Sequence, residues 1–350
     1  MLSAGEARQR GRELLTIEAS AVRTAAAVIG PLVVGQLAGH EGVGLLVALG
    51  ALYLCIADKF EVSAALLLLT TLGAMGAVLA GSAVASGALL SVFSMAFWAF
   101  SFSLLAIRGD LAAHLGFVLT IVFAVAQGMP LATPSEQLQR ALLFGCGGLL
   151  ATLATLLLRH FTPAPRADPA RTEAAVLGPP EVPLVPAPVP SVGWHALRLT
   201  LAATVAVGIE KFLRLDHGHW IVLTALVIVK PDYAATSLRA RERIVGTIAG
   251  GIIAVPLAVL LRNTIGLDLV LAALCVLAYS HLRRSYGMYS AFLTPFVVLL
   301  VNASHPGDWR LALTRVEDSL AGGALALTVA FLLRSRETAP LAAAAAVSEP

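Results

Sequence analysis

The stretch that decides the fold is WIVLTALVIVKPDYAATSLRARERIVGTIAGG, residues 220–251. Its apolar run ends at Lys230-Pro231, and proline commonly follows the end of a helix. Arg239, Arg241 and Arg243 come next, before a second apolar run that contains a glycine pair. Because arginine and lysine concentrate in the cytoplasmic loops of membrane proteins, the stretch predicts two membrane helices joined on the cytoplasmic side.

The composition of the whole chain is also that of a membrane protein. Of its 350 residues 58% are hydrophobic and 13% charged, and the mean hydropathy is +0.85. Soluble domains carry about 25% charged residues, so an ordinary water-exposed surface is excluded. The three cysteines lie in apolar runs without a CxxC pair, which argues against zinc and redox chemistry. Nucleotide-binding and hydrolase motifs are missing from the sequence, so we predict no enzyme, no cofactor and no metal site.

Apolar segments suited to membrane helices, which need about 20 residues, fall into two sets of six. A segment at 160–194 that holds nine of the 18 prolines separates the sets and is predicted to be an extended linker. The predicted fold class is therefore an all-α integral membrane protein with about 12 transmembrane helices. The predicted segments are 19–38, 42–57, 62–80, 87–107, 111–127, 138–158, 196–213, 219–231, 243–261, 266–281, 288–302 and 312–333.

The basic residues predict the orientation of these helices. With the N-terminus inside, about three quarters of the 24 Lys and Arg residues fall on the cytoplasmic side. We therefore predict a multi-pass protein of a bacterial-type inner membrane with both termini in the cytoplasm. The predicted domains are an N-terminal lead-in (1–18), a first six-helix repeat (19–159), the cytoplasmic linker (160–194), a second repeat (195–335) and a cytoplasmic tail (336–350).

The two sets of helices share a spacing of 175 residues. Four pairs obey it: Arg23 with Arg198, Arg140 with Arg315, Arg159 with Arg334, and Gly147-Gly148 with Gly322-Gly323. Asp58 and Asp232 differ by 174. Because each set has an even number of spans, the halves are predicted to be parallel repeats.

A shorter pattern, Arg-x6-Gly-Gly, lies inside this repeat. It starts at Arg140, Arg243 and Arg315, whereas Leu69 replaces the arginine in the fourth expected copy. One copy in a half would run inward and the other outward. The pattern favours a unit of three helices that was duplicated with inversion, so that each half is a 3+3 inverted repeat.

Several charged and aromatic residues are candidates for substrate binding or translocation. Lys230, Asp232 and Tyr233 lie at the predicted cytoplasmic mouth, where a basic vestibule would attract organic anions. Arg243, Arg140 and Arg315 lie near the glycine pairs, and charged residues within the membrane usually face a cavity or a partner. Asp318 follows Arg315 by one turn, His219 and Trp220 lie at the opposite end of their helix from Lys230, and Asp58 is the first-half counterpart of Asp232. Cytoplasmic anchoring, structural ion pairs and interfacial aromatic residues are the alternative interpretations.

Residues 220–251 resemble the fusaric acid resistance and aromatic acid exporter family, and RVEDSLAGGALAL (315–327) resembles the last helix of its unit. The resemblance implies export of aromatic carboxylic acids or related toxic compounds, driven by the proton motive force. The six-helix unit also resembles that of the plant aluminium-activated malate channels. The first half departs from the pattern at Asp58 and Leu69, so we expect the second half to supply most of the charge along a transport path.

Four functions are consistent with these patterns: an exporter of small organic anions, a passive organic-anion channel, a major-facilitator-type carrier, and a scaffold without transport. The predicted partners are the lipid bilayer and small organic anions, and no nucleic acid. A periplasmic adaptor subunit and a homo-oligomer are left open.

Overall fold

The computed structural model describes residues 19–57, 63–161, 189–261, 264–282, 284–302 and 307–334. These residues form α-helices, with a short 3-10 helix at Leu104–Arg108, and contain no strand. The all-α prediction is therefore confirmed. The helices are α1 (Ala19–Leu37), α2 (Glu41–Ala57), α3 (Ala64–Val84), α4 (Ala88–Ser103), α5 (Asp110–Gly128), α6 (Pro134–Phe161), α7 (Val189–Leu213), α8 (His219–Ile228), α9 (Tyr233–Leu260), α10 (Thr264–His281), α11 (Tyr286–Asn302) and α12 (Arg310–Leu332).

Eight helical segments in the described part of the chain are long and apolar enough to cross a membrane, so this is a multi-pass membrane protein. They lie in α1, α3 to α7, α9 and α10. Three further apolar helices are shorter (α2, α8 and α11), and α12 differs from the eight because Arg315, Glu317 and Asp318 interrupt its apolar sequence. With ten residues α8 reaches only about 15 Å, half of the hydrocarbon thickness. Twelve crossings therefore stay a prediction.

Two helices begin seven or more residues earlier than the apolar pattern predicts. Helix α9 begins at Tyr233 rather than at 243, because Asp232 accepts a hydrogen bond from the amide of Ala235 (2.7 Å) and caps the arginine-rich turns. Helix α7 begins at Val189, inside the segment predicted to be a linker. Proline is tolerated in the first turn of a helix, which accommodates Pro190.

The same helix pairs pack in both halves of the chain. In the first half, α6 packs against α2 and α3, and α3 packs against α5. In the second half, α12 packs against α8 and α9, and α9 packs against α11. Two contacts join the halves in a reciprocal way, since α4 packs against α7 and α10 packs against α1. Each of the two large apolar cores draws buried residues from both halves.

Glycines permit the closest helix contacts. A Cβ atom at Gly322 of α12 would lie 2.6 Å from the carbonyl oxygen of Ile221 in α8. In the first half, Gly147 of α6 lies in the same way against the carbonyl oxygen of Val47 in α2. Small residues serve this purpose at helix crossings in membranes, and here they hold α8 and α2 against the last helix of each half.

A fully buried arginine fixes the break between α8 and α9. Arg198 of α7 donates hydrogen bonds to the carbonyl oxygen of Pro231 and to that of Leu333 (2.8 Å). Thr236 adds to the break, because its hydroxyl accepts from the Lys230 amide (3.0 Å) and donates to the Asp232 carbonyl (2.8 Å). Irregular backbone in a membrane protein is tolerated where protein groups satisfy it, and these bonds hold Lys230 in a defined position.

Candidate functional site

A cavity of about 510 Å³ lies between the two halves. The first half contributes walls from α2, the 3-10 turn after α4, and α5. The second half contributes α7 to α12. Residues from His219 to Pro231 line it, so the cavity follows α8 along its length, over about 15 Å. Ligand pockets commonly measure about 300 to 1,000 Å³, so this one has room for a small organic molecule.

The charged side chains that line the cavity are all cationic. They are Lys230, Arg239, Arg243 and Arg315, and no aspartate or glutamate in the described part of the chain lines the cavity. All four belong to the second half. Histidines add further polar positions along the wall: His114, His195 and His219. Glu242 offsets Arg239 from outside the wall, whereas no carboxylate of the described residues lines the wall beside Lys230, Arg243 and Arg315. The cavity therefore favours an anionic occupant.

Two of the arginines are buried and incompletely bonded. Arg243 of α9 is 5% exposed, donates to the hydroxyl of Ser290 in α11 (3.2 Å) and has no partner at Nε. Arg315 of α12 is 4% exposed and has no partner at Nε or Nη1. Unpaired buried donors cost free energy. An anion that accepted from both arginines would remove that cost.

Aromatic rings surround the cationic groups. The Arg315 guanidinium lies 5.0 Å from the centre of the Trp220 ring, and that of Arg239 lies 3.9 Å from the Tyr286 ring. The Lys230 ammonium lies 5.9 Å from the Phe117 ring, which comes from the first half. The remaining aromatic residues of the wall are Tyr53, Tyr279 and Tyr289. The rings hold the cations by cation–π attraction and offer flat apolar surface to a ligand.

Five of the residues singled out in the sequence line the cavity: Lys230, Arg243, Arg315, His219 and Trp220. Four of the others do not. Asp232 is an exposed helix cap, and Tyr233 lies against Phe331 (ring centres 6.2 Å apart) and Arg334. Arg140 donates to the carbonyl oxygen of Pro130 (2.7 Å), away from the cavity. Asp318 is buried beside Arg315 without lining the cavity, and Asp58 lies outside the described residues.

The structural ion pairs considered from the sequence do not form at the arginines. Glu136 accepts from the amide and hydroxyl of Thr133 (2.7 and 3.0 Å) and not from Arg140. Glu242 pairs with Arg239 (3.5 Å) rather than with Arg243. Within the described residues Arg315 makes no ion pair, although Asp318 lies one turn away. The buried arginines thus keep hydrogen-bonding capacity for a ligand.

Several contributors to the site were not predicted from the sequence. Tyr53 and His195 line the cavity, and Ser290 accepts a hydrogen bond from Arg243 without lining it. Each is a single polar residue in an apolar segment, and such residues are common at helix contacts. The residues around the cavity come from different helices, so their spacing in the sequence does not indicate that they lie together. A sequence can indicate a polar partner for a candidate arginine only when the two share a helix face. Ser290 lies on a different helix from Arg243, so this signal was absent.

The fold and the cavity together define a multi-pass helical membrane protein with an internal cationic, aromatic-lined cavity. Residues 203–329 match the family described as "Fusaric acid resistance protein-like". The matched residues include most of the cationic wall, and the resemblance inferred from residues 220–251 and 315–327 is confirmed. No solved structure is significantly similar to this chain.

Curated relatives share the same part of the chain. "Inner membrane protein YccS" of Escherichia coli strain K12 is 33% identical over 132 residues, which cover 38% of this chain and 18% of that protein. "Uncharacterized protein slr1298" of Synechocystis is 30% identical over 146 residues, or 41% of this chain and 19% of that protein. "Uncharacterized protein YhfK" of E. coli is 32% identical over 129 residues, or 37% and 18%. The chain thus matches less than a fifth of the length of these relatives.

Proposed function

We propose that this protein transports small organic anions, aromatic carboxylates in particular, through the cavity between its halves. The observation that carries the proposal is the pair Arg243 and Arg315, two buried guanidiniums with unpartnered nitrogens in a cavity that no carboxylate of the described residues lines. Guanidinium donors match carboxylate geometry. A charged group inside a membrane protein is costly unless it has a function or a partner, and an organic anion supplies the partner.

The aromatic wall supports an aromatic substrate. When the carboxylate is bound at Arg243 and Arg315, its ring is directed along α8 towards the apolar and aromatic groups of α2, α5 and α11. Phe117, Tyr53 and Tyr289 are candidates for ring contacts, since all three line the same cavity. Stacking of aromatic rings adds about 0.5 to 1.5 kcal/mol beyond the burial of apolar area, so such substrates are favoured over aliphatic acids.

The proposed architecture is two parallel six-helix repeats with twelve crossings, and each repeat is a 3+3 inverted repeat. The equal helix pairings in the two halves support it. The glycine contacts support it further, because Gly147 lies against Val47 as Gly322 lies against Ile221, with offsets of 175 and 174 residues. The reciprocal contacts α4 with α7 and α10 with α1 are those that a two-fold axis between the halves would produce.

The proposed location is the inner membrane with both termini in the cytoplasm, and the proposed direction is export driven by the proton motive force. The match to an inner membrane protein and the distribution of Lys and Arg support the location and orientation. The membrane potential favours the exit of one negative charge from a cell with a negative interior, by a free energy of about 2.3 kcal/mol per 100 mV. The electrical component of the force therefore acts on this substrate directly.

The test uses purified full-length protein in liposomes and labelled 4-hydroxybenzoate. We expect accumulation that depends on an imposed membrane potential or pH gradient, and that is lost when Arg243 and Arg315 are both changed to Gln. Arg140→Gln is the matched control, because Arg140 has the same place in the repeat as Arg315 and lies outside the cavity. Movement of 4-hydroxybenzoate that is equal in empty liposomes, in liposomes with the wild-type protein and in those with either variant would refute transport and favour the scaffold interpretation.

A passive anion channel is the second candidate. The row of cations from Arg315 to Lys230 along α8 favours it, since a continuous series of weak sites permits rapid conduction. Recording across a planar bilayer separates the two mechanisms. Unitary currents carried by benzoate indicate a channel, whereas flux without resolvable currents indicates a carrier.

A further inference from the structure

One buried carboxylate lies next to the proposed anion site and takes no part in its wall. Asp318 is 8% exposed, and its Oδ2 has no hydrogen-bond partner. It follows Arg315 by three residues on α12, and such residues are neighbours on one helix face, with Cβ atoms about 5 to 6 Å apart. The carboxylate is therefore close enough to act on the guanidinium, yet the two form no ion pair in the described structure.

The ionisable groups around this pair are few. Glu210 of α7 and Glu317 of α12 act electrostatically on Asp318, besides Arg315 itself. Glu210 is paired with Lys211 (3.1 Å), whereas Glu317 is exposed. Arg243 and Tyr286 act electrostatically on Arg315, and Arg315 acts electrostatically on His219. Asp318 is thus the buried carboxylate that faces Arg315 without a salt bridge of its own in the described residues.

We infer that ionised Asp318 competes with the substrate carboxylate for Arg315, and that a proton on Asp318 removes this competition. The inference rests on the proposed function, because it requires an organic anion at Arg315. A negative charge one turn from the guanidinium repels an incoming carboxylate and also attracts the same cation. Protonation abolishes both effects, so the affinity for the anion rises as the pH falls.

The linkage works in both directions. If a proton on Asp318 strengthens anion binding, the bound anion must strengthen proton binding by the same factor. Binding of the anion therefore raises the proton occupancy of Asp318. In this inference the proton modulates the affinity of the site and is not the ion that drives export.

The experiment measures equilibrium binding of labelled benzoate to the purified full-length protein in nanodiscs, from about pH 5.5 to about pH 8.5. Benzoate stays ionised in this range, because carboxyl groups ordinarily titrate near pH 4. For the wild-type protein we expect affinity that increases about tenfold or more towards the acidic end. For Asp318→Asn we expect affinity that is independent of pH and close to the acidic limit of the wild type.

Three further variants separate Asp318 from its neighbours. Glu317→Gln removes an exposed carboxylate beside it and is expected to retain the pH dependence. His219→Gln is expected to retain it as well, which excludes protonation of the cavity histidine as the cause. Asp318→Glu keeps the titratable group and is expected to keep the pH dependence with a shifted midpoint, so the inference stays testable if Asp318→Asn does not fold.

The outcomes distinguish the inference from the proposed function. Wild-type binding that does not vary with pH would overturn the role of Asp318 and leave anion binding intact. Loss of the pH dependence in His219→Gln, with its retention in a folded Asp318→Asn or Asp318→Ser protein, would also overturn it. Absence of benzoate binding at every pH would refute the proposed function together with this inference.

Discussion

The guanidinium carbon of Arg315 lies 5.0 Å from the centre of the Trp220 ring, at the end of the cavity opposite Lys230. The first residues of α8 and the first turns of α12 meet there, and Gly322 brings the two helices into contact at Ile221 and Thr224. The ring covers one face of the guanidinium, while Nε and Nη1 stay without partners. Arg315 is therefore positioned by its neighbours and remains free to bind a ligand.

The first prediction compares two arginines that the proposed repeat makes equivalent. Arg315→Gln should lower the transport of 4-hydroxybenzoate at low substrate concentration by about tenfold to a hundredfold, since a hydrogen bond to a charged group contributes about 1.5 to 3 kcal/mol. Arg140→Gln should change it by less than about twofold, because surface contacts contribute little. Initial rates in liposomes measure both. A comparable loss in the two variants would contradict the assignment of the cavity as the transport path.

The second prediction concerns Asp232, which the sequence placed at the mouth of the path and the structure shows capping α9. Asp232→Ala should destabilise the protein by about 1 kcal/mol, because the Ala235 amide loses its acceptor. Asp232→Ser should restore stability and leave transport close to wild type, since serine is also a good cap. Thermal unfolding in detergent and rates in liposomes provide the two readouts. A transport defect in a stable Asp232→Ser protein would argue for a direct role in translocation.

The third prediction tests the contact between α12 and α8. Gly322→Ala places a methyl group 2.6 Å from the carbonyl oxygen of Ile221, a backbone atom that cannot rotate away. We expect a loss of about 1 to 3 kcal/mol of stability, and a lower affinity for benzoate as α12 carries Arg315 away from Trp220. Gly208→Ala in α7 is the control, because nothing lies within 4 Å of its added Cβ, and alanine is the better helix former. The melting temperature should therefore fall below the wild-type value in Gly322→Ala and rise above it in Gly208→Ala.

The fourth prediction concerns the aromatic part of the substrate. Phe117→Ala should weaken benzoate binding more than acetate binding, because only benzoate has a ring to contact this wall. Phe93→Ala, an exposed aromatic residue on α4 outside the cavity, should leave both affinities unchanged. Competition against labelled benzoate measures the ratio. An unchanged preference in Phe117→Ala would place the ring elsewhere in the cavity.

Much of the fold was predictable because it depends on local sequence. Apolar blocks of membrane-spanning length identify helices without knowledge of their neighbours, and Pro231 marks the break after α8. The predicted start of α9 was ten residues too late, since apolar residues defined the predicted segment and the first turns of that helix are rich in arginine. The cap at Asp232 was a local signal that could have corrected the boundary.

The candidate site was predictable only in part. A sequence identifies charged residues that are expensive in a membrane, and Lys230, Arg243 and Arg315 were found in this way. It does not say which helix face meets the cavity. Tyr53 and His195 are single polar residues whose place in the wall, like the bond of Ser290 to Arg243, depends on contacts with helices far away in the chain.

Arg140 and Arg315 show what the sequence determines and what only the tertiary structure decides. By itself the sequence determined that the protein is helical, that it resides in a membrane and that Arg140 and Arg315, 175 residues apart, each precede a glycine pair by seven residues. Only the tertiary structure decided that Arg315 lines the cavity beside Trp220 while Arg140 binds the carbonyl of Pro130. The physical reason is that hydrophobicity and helix formation are properties of a segment, whereas the surroundings of a side chain depend on the helices packed around it.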